Sequence, residues 1–127
     1  MRGRAVLLIS CLKEEAAKIH QEAELQRRTV SGYVLNVVMR AVKFDEKLLA
    51  EHPGIHSLKT VAAERPIRPM GPRTAMLLRC STEESKRIRS AAKHRDATIS
   101  GFVLWSLRRS WLAELQAPGF IVGGRNP

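Results

Sequence analysis

Arg79-Cys80-Ser81-Thr82-Glu83-Glu84 and, further on, Thr98-Ile99-Ser100-Gly101-Phe102-Val103 decide how this chain folds. Ser81 with Glu84 three residues later is a capping box, in which each side chain satisfies a backbone N–H that helix geometry leaves unpaired, so a helix begins there. Ahead of it, Thr74 to Cys80 is too short for a helix and follows Pro72, which predicts a strand. Behind it, Ile88, Ala91 and Ala92 recur at helical spacing until His94-Arg95-Asp96-Ala97 breaks the pattern. Thr98 then caps a second helix with the apolar stripe Ile99, Phe102, Val103. The reading is strand, helix, helix.

The same grammar occurs upstream. Displacing the chain by 69 positions sets Arg4–Val42 on Arg73–Trp111 without a gap, and the pairs Leu8/Leu77, Cys11/Cys80, Glu15/Glu84, Ile19/Ile88, Thr29/Thr98, Ser31/Ser100, Gly32/Gly101 and Arg40/Arg109 are among the identities. An internal duplication is the economical explanation. Units of this size are too small to bury a core alone, so each copy needs the other.

In the first copy, Arg4 to Ser10 is the expected strand. Its alternation sends Ala5, Leu7, Ile9 and Cys11 to one face and Arg4, Val6, Leu8 and Ser10 to the other. The first helix, about Lys13 to Gln26, turns Ala16, Ile19 and Ala23 inward and is poorly capped, because Leu12 replaces the serine. Thr29-Val30-Ser31-Gly32-Tyr33 opens the second helix, whose stripe Tyr33, Val34, Val37, Val38 and Ala41 should make most of the core. It can run on to His52-Pro53-Gly54. Arg65-Pro66-Ile67-Arg68-Pro69-Met70-Gly71-Pro72 is expected to be extended, since each proline fixes its own φ and restricts its predecessor. It reads either as a stiff connector or as a basic arm along a phosphate backbone. The divisions are residues 1–52, a Pro-rich linker 53–72, residues 73–117 and a tail 118–127, with the two units forming one compact domain.

The charge narrows the partners. The 127 residues carry a net charge of +10, with twelve Lys and Arg against eight Asp and Glu up to Pro72 and ten against four after it, so that both halves are basic, +4 and +6. That favours a polyanion. Met1-Arg2-Gly3-Arg4 followed by an apolar run to Cys11 has the look of a lipoprotein signal, but the run is short and recurs internally before Cys80. No other run is long enough for a bilayer, so a soluble cytoplasmic protein without a membrane partner is expected. If the strands pair antiparallel about Leu8 and Leu77, Cys11 faces Thr74 and Cys80 faces Ala5. The sulfurs then lie roughly 20 Å apart at ~3.4 Å per residue, beyond the ~7 Å Cα limit of a disulfide, and read as small core residues.

This pattern resembles the ribbon-helix-helix superfamily of Arc- and MetJ-like regulators, on the strength of strand, capped helix, brief turn and the T-[VI]-S-G-[YF]-V-L helix start in both copies. The resemblance implies a mainly α fold with a two-stranded antiparallel β-ribbon, in the order β-α-α-linker-β-α-α, the two units forming a pseudo-dimer within one chain. In that family the ribbon enters the DNA major groove. By position Val6, Leu8, Ser10, Ala75, Leu77 and Arg79 would face bases, with Arg79 suited to a bidentate contact with guanine. Arg4 and Arg73 at the ribbon ends, and the helix starts Thr29, Val30, Ser31 and Thr98, Ile99, Ser100, would meet the phosphate backbone, because a helix N-terminus offers unpaired N–H groups and the positive end of its dipole. The implied activity is that of a repressor-like transcriptional regulator that binds double-stranded DNA and can self-associate on it.

The departures from the family are specific. Val6, Leu8, Ala75 and Leu77 are apolar where base-facing residues are usually polar, so direct readout is expected to be sparse or to lean on Arg79, Ser10 and DNA shape, and because the two strands differ an asymmetric site is expected. Gly32 and Gly101 stand where the family commonly has an acid, either opening the anion site or allowing close packing on the preceding helix. The turns Gln26-Arg27-Arg28 and Arg95-Asp96-Ala97 lack the usual glycine. The alternative is a protein-interaction module, antitoxin-like or phage-encoded, whose protein partner meets the apolar ribbon, Trp105 or the tail Phe120-Ile121-Val122. Trp105 aligns with Asn36 and reads as outward-pointing or as core-rim packing. No enzyme, metal or cofactor is expected: His20, His52, His56 and His94 have no acid or nucleophile cluster beside them, and Pro53-Gly54 separates the one pair with ligand spacing.

Overall fold

The computed structural model describes residues 3–54 and 71–116. Strand β1 (Arg4–Leu12) leads into α1 (Lys13–Leu25) and α2 (Val30–Glu51); β2 (Arg73–Ser81) leads into α3 (Thr82–His94) and α4 (Ile99–Gln116). The molecule is thus mainly helical with one two-stranded antiparallel sheet, centred on Leu8 opposite Leu77. That register sets Cys11 against Thr74 and Cys80 against Ala5, as expected, and both cysteines are buried free thiols. The connector 55–70 and the tail 117–127 lie outside the described residues.

Local chemistry accounts for the helix boundaries. Ser81 Oγ accepts from Glu84 N at 3.0 Å while Ser81 N donates to Glu84 Oε1 at 2.8 Å, completing the capping box. At α1 half of that box survives: Leu12 N donates to Glu15 Oε1 at 3.0 Å, but leucine has nothing to return. Thr29 and Thr98 cap α2 and α4 by accepting from Gly32 N and Gly101 N. His52 is the C-cap of α2, just ahead of Pro53.

The two helix-to-helix turns keep glycine's conformation without glycine. Arg27 (φ 55°) and Asp96 (φ 57°), 69 positions apart, both occupy the left-handed region. The backbone holds them there, since Arg28 N donates to Ala23 O and Ala97 N to Ala92 O, each at 2.9 Å, closing orphan carbonyls at the helix ends.

One core joins all six elements. The inner strand face supplies Leu7, Ile9, Cys11, Leu78 and Cys80, α1 and α3 supply Ile19, Ala23, Ile88, Ala91 and Ala92, and α2 and α4 supply Tyr33, Val34, Val38, Phe102, Val103 and Leu107. The connection is crossed: α2 lies on β2, and α4 lies on β1. Trp111 Nε1 donates to the Tyr33 hydroxyl at 2.8 Å, and Arg108 Nε to Glu15 Oε2 at 2.7 Å, so α4 is fixed to the first half by polar as well as apolar contacts. Trp105 does not point outward. It is 7 % exposed and packs on Phe102, with ring centroids 5.9 Å apart.

Candidate nucleic-acid interface

The outer ribbon face is left over when the core is complete. Leu7, Ile9 and Leu78 go inward, and pleat alternation therefore turns Val6 (54 % exposed), Leu8 (65 %) and Leu77 (54 %) to solvent, with Arg4, Ala75 and Arg79 also exposed. Ser10 and Arg73 complete this face but are half-buried.

Its two ends differ. Arg73 Nε donates to Ser10 Oγ, and Arg73 Nη2 to Ser10 O, both at 3.2 Å, so the serine oxygen accepts from the neighbouring strand. The residues 69 positions away are Arg79 (from Ser10) and Arg4 (from Arg73), and their side chains have no hydrogen-bond partner among the described residues. One end of the ribbon is therefore a tied Ser-Arg pair and the other a pair of exposed guanidinium groups.

The starts of α2 and α4 are attached to the ribbon edges. Ser31 Oγ accepts from Arg79 N, and Ser100 Oγ accepts from Ser10 N, each at 2.9 Å. A strand edge carries unpaired N–H groups, and here each serine satisfies one of them. Ser31 and Ser100, expected to frame phosphate sites, also hold helix to strand through their oxygens. Val30 and Ile99 likewise turn their side chains to the core, so only their backbone N–H groups are available.

Each helix start also offers backbone donors. The first N–H groups of a helix have no intrahelical acceptor; Thr29 takes that of Gly32, and Thr98 that of Gly101, leaving Val30, Ser31, Ile99 and Ser100. A Cβ built on Gly32 would stand 2.9 Å from Thr29 Oγ1. The close neighbour of this glycine is thus its own helix cap and not the preceding helix.

Sequence reasoning located the exposed strand face and the helix starts, which follow local periodicity and capping. It missed the bonds from Ser31 and Ser100 to the opposite strands and the Ser10–Arg73 pair, which join residues 48, 90 and 63 positions apart. Among the described residues there is no cluster of three metal-ligating side chains, and no helix is long and apolar enough to cross a membrane. No family model, curated protein or solved structure matches this chain.

Proposed function

We propose that the chain is a tandem ribbon-helix-helix protein, a pseudo-dimer within one polypeptide, that binds double-stranded DNA as a repressor-like transcriptional regulator. The observation carrying this reading is the pair of 2.9 Å bonds from Arg79 N to Ser31 Oγ and from Ser10 N to Ser100 Oγ. They anchor two Thr-capped helix starts on opposite edges of a ribbon whose outer face the core does not use. A two-stranded ribbon fits a major groove about 12 Å wide, and helix N-termini flanking it suit the phosphates on either side. The net charge of +10 acts in the same direction over longer range.

Arg79 is the residue assigned to base reading, and Arg4 reaches phosphate or base beside it. Ser10 and Arg73 serve mainly each other. Val6, Leu8 and Leu77 contact thymine methyls, and DNA shape supplies the remaining discrimination. The test is selection of bound sequences from a randomised duplex pool at moderate salt. Enrichment of a motif is expected. Retention without enrichment would leave phosphate-dominated binding, and no retention at low salt would remove the DNA reading.

A second reading rests on Val6, Leu8 and Leu77, which together make an exposed apolar strip unusual for a base-reading face. In that reading the fold is kept and the strip binds a protein. Arg79→Ala separates the two, because it weakens sequence preference only if the ribbon reads DNA.

A further inference from the structure

An antiparallel sheet with one solvated face ordinarily turns apolar residues inward and polar ones outward. The middle of this ribbon is apolar on both faces, because Val6, Leu8, Ala75 and Leu77 are all exposed. The register makes them one patch. Leu8 stands directly opposite Leu77, which places their Cβ atoms about 4.5–5.5 Å apart, and Val6 and Ala75 extend the patch by one same-face position on either strand. Displacement by 69 positions matches Val6 with Ala75 and Leu8 with Leu77, so the apolar centre occurs in both copies, whereas Ser10 in one copy is Arg79 in the other.

In a major groove an apolar side chain has one matching group. The edges of adenine, guanine and cytosine present only donors and acceptors, and covering these without replacing their bonds to water is unfavourable. Thymine alone adds a C5-methyl group. Methylation of cytosine at C5 sets the same methyl at the same ring position and leaves the N4 donor in place. A face centred on two leucines therefore responds to the methyl, whichever pyrimidine carries it.

We propose that the ribbon centre reads pyrimidine C5-methyl groups, so that 5-methylcytosine substitutes for thymine there and cytosine methylation strengthens binding. This rests on the DNA reading above and extends it to a modified duplex as ligand. Charge favours DNA over an apolar protein surface as the occupant of the patch. Arg79 stands opposite Val6, Arg4 lies two residues from Val6 on the same face, and both are exposed. A duplex meets these guanidinium groups with phosphates and guanine edges, and the net charge of +10 draws it in.

The test is a competition among barcoded random duplex pools for the full-length chain at moderate salt. One pool carries thymine and cytosine, a second carries deoxyuridine in place of thymine, and a third carries 5-methylcytosine in place of cytosine. Deoxyuridine lacks only the methyl, so every hydrogen-bonding group is kept. Retention, counted by sequencing the barcodes, should rank the 5-methylcytosine pool above the ordinary one and the deoxyuridine pool last. The expected step is about fourfold for each methyl contacted, the worth of burying one such carbon. Leu8→Ser combined with Leu77→Ser should melt close to wild type, since both side chains are exposed, and should retain the three pools alike. Equal retention by the wild type overturns the methyl reading and leaves DNA binding standing, whereas no retention of any pool at low salt overturns both. A ranking that survives in the double variant also overturns it, because the methyl would then act through duplex shape.

Discussion

Arg95 Nε donates to Asp45 Oδ2 at 2.6 Å and Arg95 Nη2 to Oδ1 at 2.7 Å, with the two side chains only 5 % and 3 % exposed. The pair ties the turn after α3 to the C-terminal half of α2, and its strength is conditional on both partners. Two charges taken from water recover their desolvation cost only through each other. Asp45→Ala or Arg95→Met alone should therefore destabilise by about 3–5 kcal/mol, since each leaves a buried charge unpaired. Asp45→Ala combined with Arg95→Met should lose much less than the sum. Urea melts of the two singles and the double check this, and additive losses would refute the coupling.

Arg27 holds a φ of 55° that glycine adopts without steric cost, and its side chain is exposed. For an L-residue the left-handed conformation costs roughly 1–2 kcal/mol, against the smaller entropic cost of glycine in the unfolded chain. Arg27→Gly should accordingly raise stability by about 0.5–1 kcal/mol. Thermal unfolding would show a melting temperature a few degrees higher; an unchanged or lower value would mean that the Arg27 side chain contributes more than its backbone loses.

The contrast between these two sites explains what the sequence could disclose. Strand faces and helix starts depend on neighbours in the chain: the alternation of Arg4 to Cys11, the Ser81–Glu84 box and the two threonine caps each reveal themselves within a few residues. The register was legible because Leu8 and Leu77 stand 69 positions apart at the centre of their strands. Asp45 was detectable in principle, as the polar residue that continues the buried line Val34, Val38, Val42, but its partner lies 50 positions away in a turn. Alignment of Trp105 with exposed Asn36 left outward and core-rim placement both open; the structure packs it inward because Arg95 and Phe102 close around the indole, while the equivalent residues of the first half, Gln26 and Tyr33, have no ring to enclose.

Burial raises the thiol pKa of Cys11 and Cys80, with Glu15 and Glu84 respectively acting in the same direction and nearby arginines opposing them. The thiolate is the reactive form, so both cysteines should resist alkylation by iodoacetamide at neutral pH in the folded protein. Both should react promptly in denaturant. Mass spectrometry over a time course reads this directly, and rapid single modification of the native chain would show that one strand end opens.

Glu46 receives Arg87 Nε at 2.9 Å and Arg87 Nη2 at 2.6 Å, and these bonds hold its carboxyl below the ordinary value of 4.5. A depressed carboxyl contributes stability that is present above its unfolded pKa and disappears as pH falls through the folded one. The pair is largely exposed, which limits its worth to about 0.2–1 kcal/mol. Glu46→Gln should be slightly less stable than wild type at neutral pH, with the difference closing below the usual carboxylate range. A difference that persists into acid would assign the effect to packing.

The ribbon's unequal ends predict an asymmetric DNA site. At one end Ser10 is engaged by Arg73; at the other Arg4 and Arg79 are both exposed guanidinium groups on the same face. A bidentate arginine contact with guanine is worth about 1–3 kcal/mol of discrimination, so Arg79→Ala should relax preference at one base pair of the selected motif and leave its mirror position unaffected. Ser10→Ala should alter sequence preference little, because the hydroxyl it removes already accepts from Arg73. Arg4→Ala, if that residue contacts phosphate, should weaken binding to all sequences alike and reduce the steepness of the salt dependence by roughly one counterion. Selection of the same randomised pool with the three variants distinguishes these effects, and recovery of a strictly symmetric motif from the wild type would show that the two ends are not read differently.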